Sequence, residues 1–130
     1  MAFTVARTAS QTITEGGRID FDNIINNIGG RYIPAEDHFV CDQNGYYMFY
    51  FSIVSEGTGS AEMSLIANGE VVVTAFASGV DGAHTGSNQA VVYCENGGFV
   101  YLQSMRLSNI AGQHRYANSF SGLFLASGAP

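Results

Sequence analysis

The side chains that could do chemistry are few and scattered along the chain. His38, His84 and His114 stand alone, and no paired-histidine metal motif, P-loop, nucleophile elbow or dinucleotide-binding glycine motif occurs. The sequence contains no lysine, which excludes lysine-dependent catalysis. These features favour a protein that is not an enzyme. A catalytic triad assembled from distant residues is the alternative that one sequence leaves open.

Two groups of acidic residues could hold a metal ion or move a proton. Glu36, Asp37 and His38 are consecutive, but neighbours on an extended chain point to opposite faces, which argues against catalysis there. Asp20 and Asp22 lie two residues apart, so they share a face of a predicted strand and could supply half of a metal site. The alternative is a pair of solvated acids at a strand end.

The chain has two cysteines, too few for a fold built on disulfides. Cys41 follows Phe39 and Val40 at the end of a predicted core strand. No spacing links it to Cys94. We therefore expect Cys41 to be an unpaired, buried thiol.

The elements that must position these side chains are organised around residues 21–51. After the turn pair Asn44-Gly45, residues 46–54 are almost all aromatic or apolar, which predicts a strand. Both of its faces are apolar or aromatic, so one should line the core and the other needs a cover such as a partner subunit. Alternation places Tyr47, Phe49, Phe51 and Ile53 on one face and Tyr46, Met48, Tyr50 and Ser52 on the other.

Composition indicates a single all-β domain over residues 1–130. Hydrophobic residues make up 46% of the chain, which suffices for a core, and 16 glycines separate short apolar runs. The formal net charge of −6 makes a nucleic-acid partner improbable, and no apolar run is long enough for membrane insertion. Residues 1–5 lack the regions of a signal peptide. No Gly-X-Y repeat occurs, so any collagen-like stalk is expected to precede Met1.

Turn chemistry predicts the remaining strands. The strongest hairpin signal is Asn68-Gly69, between strands at 61–67 and 70–77. A second hairpin joins 89–94 to 99–107, and 119–126 closes the fold. The other predicted strands are 3–8, 18–21, 31–34 and 38–41. Residues 10–12 are expected to form a polar turn and 108–116 an exposed loop, while 23–30 should be a loop whose isoleucines pin it to the core.

The spacing within residues 21–51 resembles the signature of the C1q globular domain. The matching positions are Phe21, Asn27, Tyr32, Phe39, Gly45, Tyr47, Phe49 and Phe51. Residues 2–7, 99–103 and 118–124 are similar to the family's first, penultimate and last strands, so the resemblance covers nearly the whole chain. It implies a ten-stranded jelly-roll sandwich of two antiparallel sheets, C1q/TNF-like.

The resemblance also implies a function. It suggests a secreted, extracellular homotrimer that acts as a pattern-recognition head in innate immunity and binds microbial surface glycans, lipopolysaccharide or other anionic ligands. The alternative is a trimeric signalling or structural module resembling TNF-like ligands, with a protein receptor as its partner. No cofactor is certain. Calcium is the one that the resemblance suggests, with Asp81 as the sole candidate ligand.

Two sets of residues are candidates for contacts with other molecules. If the central and closing strands are neighbours, Met48, Tyr50, Phe120 and Phe124 would form one continuous aromatic patch at the trimer interface, with Gly122 allowing close approach of another subunit. The predicted ligand site is His114, Arg115 and Tyr116, because a guanidinium holds a carboxylate or phosphate in a bidentate grip and a tyrosine stacks on a sugar ring. Alternatively, Arg115 pairs with a nearby acid and tethers its loop.

Overall fold

The computed structural model describes residues 1–57, 59–79, 82–112 and 116–130, and in these ranges the regular structure is all β. None of the described segments forms a helix long and apolar enough to cross a membrane. In chain order the strands are β1 (Ala2–Arg7), β2 (Gln11–Ile13), β3 (Asn23–Ile28), β4 (Tyr32–Ile33), β5 (His38–Val40), β6 (Gly45–Val54), β7 (Ala61–Ala67), β8 (Glu70–Ala77), β9 (Thr85–Cys94), β10 (Phe99–Ser104), β11 (Ser108–Ile110) and β12 (Asn118–Ser127).

Ten of these strands form two five-stranded antiparallel sheets, which confirms the predicted ten-stranded jelly roll. Sheet 1 has the order β3-β1-β12-β6-β9 and sheet 2 the order β4-β5-β10-β7-β8. The apolar faces of the two sheets pack on each other, and one buried cluster contains residues of both. The remaining strands, β2 and β11, pair with each other in a short separate ribbon.

An aromatic cluster centred on Phe3 joins the two sheets. Its ring lies 4.9 Å from Phe39 and 5.1 Å from Tyr32 in sheet 2, measured between centroids. Within sheet 1 it meets Phe120 edge to face at 5.0 Å. Offset and edge-to-face pairs of this kind stabilise a core beyond the area that they bury. Six of the eight positions that carry the resemblance belong to the buried core: Phe21, Tyr32, Phe39, Tyr47, Phe49 and Phe51.

The predicted faces of the central strand are confirmed. In β6, Tyr47, Phe49, Phe51 and Ile53 are fully buried, while Tyr50 on the opposite face is 43% exposed. The Tyr47 hydroxyl donates a 2.7 Å hydrogen bond to the carbonyl oxygen of Gln43, so burying this polar atom carries little penalty.

The first predicted hairpin is confirmed with the same bounds. Asn68 and Gly69 both have positive φ, 57° and 74°, as a two-residue turn that continues the twist of the strands requires. The strand predicted at 31–34 is present as the shorter β4, which lies at the border of sheet 2. Residues 18–21, however, form no strand, and only Arg18 makes an isolated bridge, with Gln103.

Three segments predicted to be irregular are strands. Residues 23–28 form β3, which pairs with β1 across a bulge, and its Ile24, Ile25 and Ile28 are 43%, 53% and 62% exposed. The prediction that these isoleucines pin a loop to the core is therefore wrong. The predicted polar turn and part of the predicted loop at 108–116 pair as β2 and β11.

The expectation of an unpaired Cys41 is also wrong, because Cys41 and Cys94 form a disulfide with a Cα–Cα distance of 6.4 Å. Cys94 ends β9 in sheet 1, whereas Cys41 follows β5 of sheet 2. Backbone hydrogen bonds from Cys41 N to Gly98 O and from Gly97 N to Cys41 O hold Cys41 beside the turn after Cys94. The pairing arises from contact between the sheets, which the spacing of the two residues did not reveal.

Candidate functional site

The side of sheet 1 that faces away from the core carries no charged side chain on its five strands, although the chain has 16 charged residues other than histidine. We call this surface the uncharged face. It is formed by Ala2, Thr4, Asn26, Ile28, Tyr46, Met48, Tyr50, Ser52, Ser87, Gln89, Val91, Tyr93, Ser119, Ser121 and Leu123.

An apolar row crosses all five strands of the uncharged face. Leu123 lies between Ala2 and Met48, and Ile28 and Val91 continue the row on either side. Leu123 is 41% exposed and Val91 58% exposed, so the row is open to solvent in the single chain. Exposed apolar side chains aligned over a sheet in this way mark a surface that another protein covers.

A polar but uncharged row runs beside the apolar one. Ser121 lies between Thr4 and Tyr50, and its hydroxyl lies 3.0 Å from the Thr4 hydroxyl. Asn26 and Gln89 end this row. The hydroxyl pair satisfies some of the hydrogen-bonding capacity within the chain, which lowers the cost of covering this surface.

An open depression of about 240 Å³ lies between the two rows. Asn26 and Ile28 line one side, and Met48 and Tyr50 line the other. Its floor includes Phe3 and Gly122. The depression is wide enough to receive side chains of a partner, and its lining has no charge to desolvate.

The predicted aromatic patch is wrong in its composition. Phe120 is 1% exposed and packs against Phe3, and Phe124 packs at 5.2 Å against Tyr47 of the core. A Cβ at Gly122 would lie 2.5 Å from the Phe3 ring, so this glycine also faces the core. The register explains the error, because Gly122 is opposite Phe49, and Phe120, Gly122 and Phe124 therefore point inward. Met48 and Tyr50 are the predicted interface residues that lie on the uncharged face.

The predicted ligand site lies mostly outside the part of the chain that the structure describes. His114 and Arg115 fall in the gap at 113–115. Tyr116 is described, has a positive φ of 62° and is 42% exposed. Asp81, the candidate calcium ligand, also lies outside the described residues. Within the described ranges, no group of three or more His, Cys, Asp and Glu side chains is arranged to hold a metal ion.

The two acids at positions 20 and 22 have separate partners. Asp20 forms an ion pair with Arg7 at 3.4 Å, and Asp22 accepts a 2.8 Å hydrogen bond from the backbone N–H of Thr8. These contacts tie the chain after the first strand to the segment before β3. Both carboxylates therefore have partners within the chain, whereas the alternative to a metal site expected solvated acids at a strand end.

The consecutive Glu36, Asp37 and His38 do not form a catalytic group. Burial raises the pKa of the Asp37 carboxyl and the nearby Asp20 raises it further, and Asp37 has a positive φ of 55° in a turn. His38 faces the outer side of sheet 2, where its Nδ1 lies 3.3 Å from Nη1 of Arg18. Burial lowers the pKa of His38 and the charge of Arg18 lowers it further. The histidine is thus held neutral beside an arginine.

The surroundings of Arg18 were not predicted from the sequence. The guanidinium lies over the ring of Tyr101, with its Cζ 3.7 Å from the centroid, and His38 stacks on Phe99 at 4.3 Å. The alternation of Phe99 and Tyr101 on β10 was a signal that these two rings share a face. Nothing local connects them to Arg18, which is more than 80 residues earlier in the chain.

Comparison with known proteins identifies the family. The model of the C1q domain matches residues 2–125. Among curated proteins, the chain is 33% identical over 130 residues to Caprin-2 of Danio rerio, covering 96% of this chain and 14% of that protein. The chain therefore spans about one seventh of that relative's length.

Solved structures with the same fold come from two groups. The globular domain of zebrafish complement 1qA has a TM-score of 0.78 at 18% identity, covering 98% of each chain. The Eiger TNF of S. frugiperda has a TM-score of 0.81 at 11% identity, covering 100% of this chain and 95% of that one. Murine APRIL at pH 5.0 has a TM-score of 0.72 at 10% identity, covering 95% and 98%. At these identities the likeness concerns the fold alone.

Proposed function

This chain belongs to the C1q-domain family, and from that premise we propose that it is a non-catalytic binding module that forms a homotrimer through the uncharged face. Domains of the C1q/TNF-like type are generally non-enzymatic, and they generally form trimers and bind ligands or receptors. The observation that carries the proposal is the absence of charge over a five-stranded sheet surface in a chain of net charge −6.

The residue types of the uncharged face support a subunit interface. The centres of protein interfaces are depleted in charged residues and enriched in tyrosine and methionine, and Met48 and Tyr50 lie near the middle of this face. Because the acidic side chains lie elsewhere, three copies can meet here without placing like charges together. Burial of Ile28, Leu123 and Val91 would supply the apolar contribution.

The proposed role of the trimer is recognition of anionic ligands on microbial or cell surfaces, as a pattern-recognition head in innate immunity. Members of the family are often secreted, and secretion is part of this proposal. The ligand residues proposed for it are His114, Arg115 and Tyr116, with the arginine holding an anionic group. Three copies of a weak site on one trimer would raise its avidity.

A glycan and lipopolysaccharide array tests this role. We expect saturable binding of acidic glycans by the wild-type protein and weaker binding by the Arg115→Ala variant with an intact trimer. Unchanged binding combined with lower stability of Arg115→Ala would show that Arg115 only tethers its loop. A protein receptor bound without any glycan binding would instead support a signalling module resembling TNF-like ligands.

Calcium binding at Asp81 is a further part of the proposal. One carboxylate per subunit supplies few of the six to eight oxygen ligands that calcium prefers, so the site would need three Asp81 side chains on the threefold axis. Titration calorimetry with calcium, before and after the Asp81→Asn substitution, tests this. Equal heats for the two proteins would contradict it.

A further inference from the structure

The outer side of sheet 2 carries an arginine held flat on an aromatic ring. Arg18 lies over Tyr101 at 3.7 Å, and its Nη1 donates to the carbonyl oxygen of Glu36 at 3.0 Å and contacts Nδ1 of His38 at 3.3 Å. Stacking and two hydrogen bonds fix the plane of the guanidinium. Less conformational entropy is therefore lost when a ligand binds to it than with a freely rotating arginine.

His38 supports this arrangement and adds a donor. Nη1 of Arg18 is always protonated, so the 3.3 Å contact requires Nδ1 of His38 to accept and the ring proton to sit on Nε2. The low pKa of His38, caused by burial and by Arg18, is consistent with this neutral form. The imidazole stacks on Phe99 at an interplanar angle of 15°. We call Arg18, His38, Phe99 and Tyr101 the arginine–aromatic cluster.

One edge of the guanidinium remains available. Among the described residues, Nε and Nη2 of Arg18 have no hydrogen-bond acceptor, and Arg7 with Asp20 is the one ion pair. These two N–H groups point in parallel, which is the geometry that binds both oxygens of a carboxylate. Arg18 is only partly exposed, so this interaction is screened less than one at a fully solvated arginine.

None of the neighbouring acids that the structure describes forms an ion pair with Arg18. Asp20 is paired with Arg7, and the charge of Arg18 lowers the pKa of Asp37, which burial raises. Glu36 is exposed, and at His38 the effect of Arg18 exceeds that of Glu36. Phe99 is 51% exposed even though the imidazole covers part of it, so the cluster presents an apolar surface as well as a charged one.

A fixed guanidinium edge and an exposed aromatic ring in one cluster match a ligand with a carboxylate on a partly apolar ring. We propose that the arginine–aromatic cluster is a binding site for the carboxylate of an acidic sugar, an inference that rests on the proposed function. The carboxylate would lie on Nε and Nη2 of Arg18, and the apolar side of the sugar ring would pack on Phe99. Aromatic side chains bind sugar rings in this way because one face of the ring presents C–H groups.

Sodium glucuronate is the probe, with glucose as its uncharged counterpart. We expect saturable, glucuronate-dependent shifts of the Arg18 Nε–H signal and the Phe99 backbone amide in ¹H–¹⁵N spectra, at concentrations at which glucose has no effect. The Arg18→Lys variant keeps the charge but loses the two-pronged edge and the planar stack, so its affinity should fall about tenfold or more. Equal shifts with glucose, or no shift with glucuronate, would overturn the proposal.

Arg106→Lys is the matched control, because Arg106 is exposed and its Cζ lies a looser 5.8 Å from the Phe76 ring. It should bind glucuronate as the wild type does. An equal loss of affinity in both variants would show that glucuronate responds to the overall charge rather than to this site, and would contradict the proposal.

If Arg18→Lys does not fold, Phe99→Leu removes the ring while keeping an apolar side chain, and unchanged affinity in that variant contradicts the site. On the glycan array, if Arg18→Lys binds as strongly as the wild type, this site is contradicted but the proposed function is not. If the wild-type protein binds no glycan, the proposed function itself is contradicted.

Discussion

Cys41 and Cys94 join the two sheets covalently across 53 residues of sequence, at the end of the sandwich where β5 and β9 terminate. Cross-linking a loop of this length removes conformational entropy from the unfolded chain. The bond therefore adds stability at a point where the sheets also meet through a hydrogen bond from Asn68 Nδ2 to the carbonyl oxygen of Tyr93. It is also consistent with an oxidising compartment, where such bonds persist.

The first prediction concerns this disulfide. Replacing both cysteines with serine should lower the free energy of unfolding by about 4 kcal/mol, from the loop length alone. Urea unfolding at one fixed protein concentration measures the difference, and the wild type in reductant should approach the variant. Two thiols per native chain, counted without reductant, would contradict the pairing.

Local chemistry explains which parts of the fold could be predicted. The hairpin at Asn68-Gly69 depends on two residues that adopt positive φ, and the faces of β6 follow from strict alternation. Both signals lie within about ten residues. A loop was predicted in place of β3 because its isoleucines were expected to pack in the core, whereas they are exposed at the edge of sheet 1.

The contact surfaces were harder to predict because they depend on register between distant strands. Both faces of β12 contain apolar residues, so alternation alone did not show whether Phe120 or Leu123 lies beside the outward-facing residues of β6. The pairing of Gly122 with Phe49 settles that question. The arginine–aromatic cluster has the same origin, because sheet 2 brings residues of β5 and β10 next to Arg18.

The second prediction tests the inward orientation of Gly122. Alanine at this position would place a Cβ 2.5 Å from the Phe3 ring and 2.7 Å from the Phe49 ring, so it should destabilise the folded chain by about 1 to 3 kcal/mol. Ser121→Ala, whose side chain lies on the uncharged face, is the control and should cost less. A Gly122→Ala variant with wild-type stability but a dissociated trimer would place the glycine at the subunit contact instead.

The third prediction concerns pH. Burial and Arg18 lower the pKa of His38 below 6.5, so the unfolded chain takes up a proton at higher pH than the folded one. The contribution of His38 to stability is therefore full above pH 6.5 and is lost as the pH falls from there to the folded-state pKa. Urea unfolding across this pH window measures the contribution as the difference in free energy of unfolding between the wild type and His38→Gln.

Comparing the two proteins removes contributions that they share. The pKa of Asp37 is raised, so its own contribution has the opposite sign and is lost as the pH rises through its folded-state value. The difference between the wild type and His38→Gln should shrink with falling pH. A difference that stays constant across the window would show that His38 does not titrate as described.

The central claim is that the uncharged face is a subunit interface, and single charges on it provide the variants. Tyr50→Glu places a carboxylate beside Ser121 and Gln89 in the middle of this face, where burial without a partner would cost several kcal/mol. Val71→Glu is the matched control, because Val71 is 52% exposed on β8 of the other sheet. The first should abolish assembly and the second should leave it intact.

Sedimentation equilibrium of the wild-type protein at micromolar concentration tests this claim most directly. We expect a single species with three times the 13.9 kDa mass of the chain, reduced to one chain mass by Tyr50→Glu and unchanged by Val71→Glu. A wild-type monomer of 13.9 kDa, or a trimer that Tyr50→Glu leaves intact, would contradict the assignment of the uncharged face as the subunit interface.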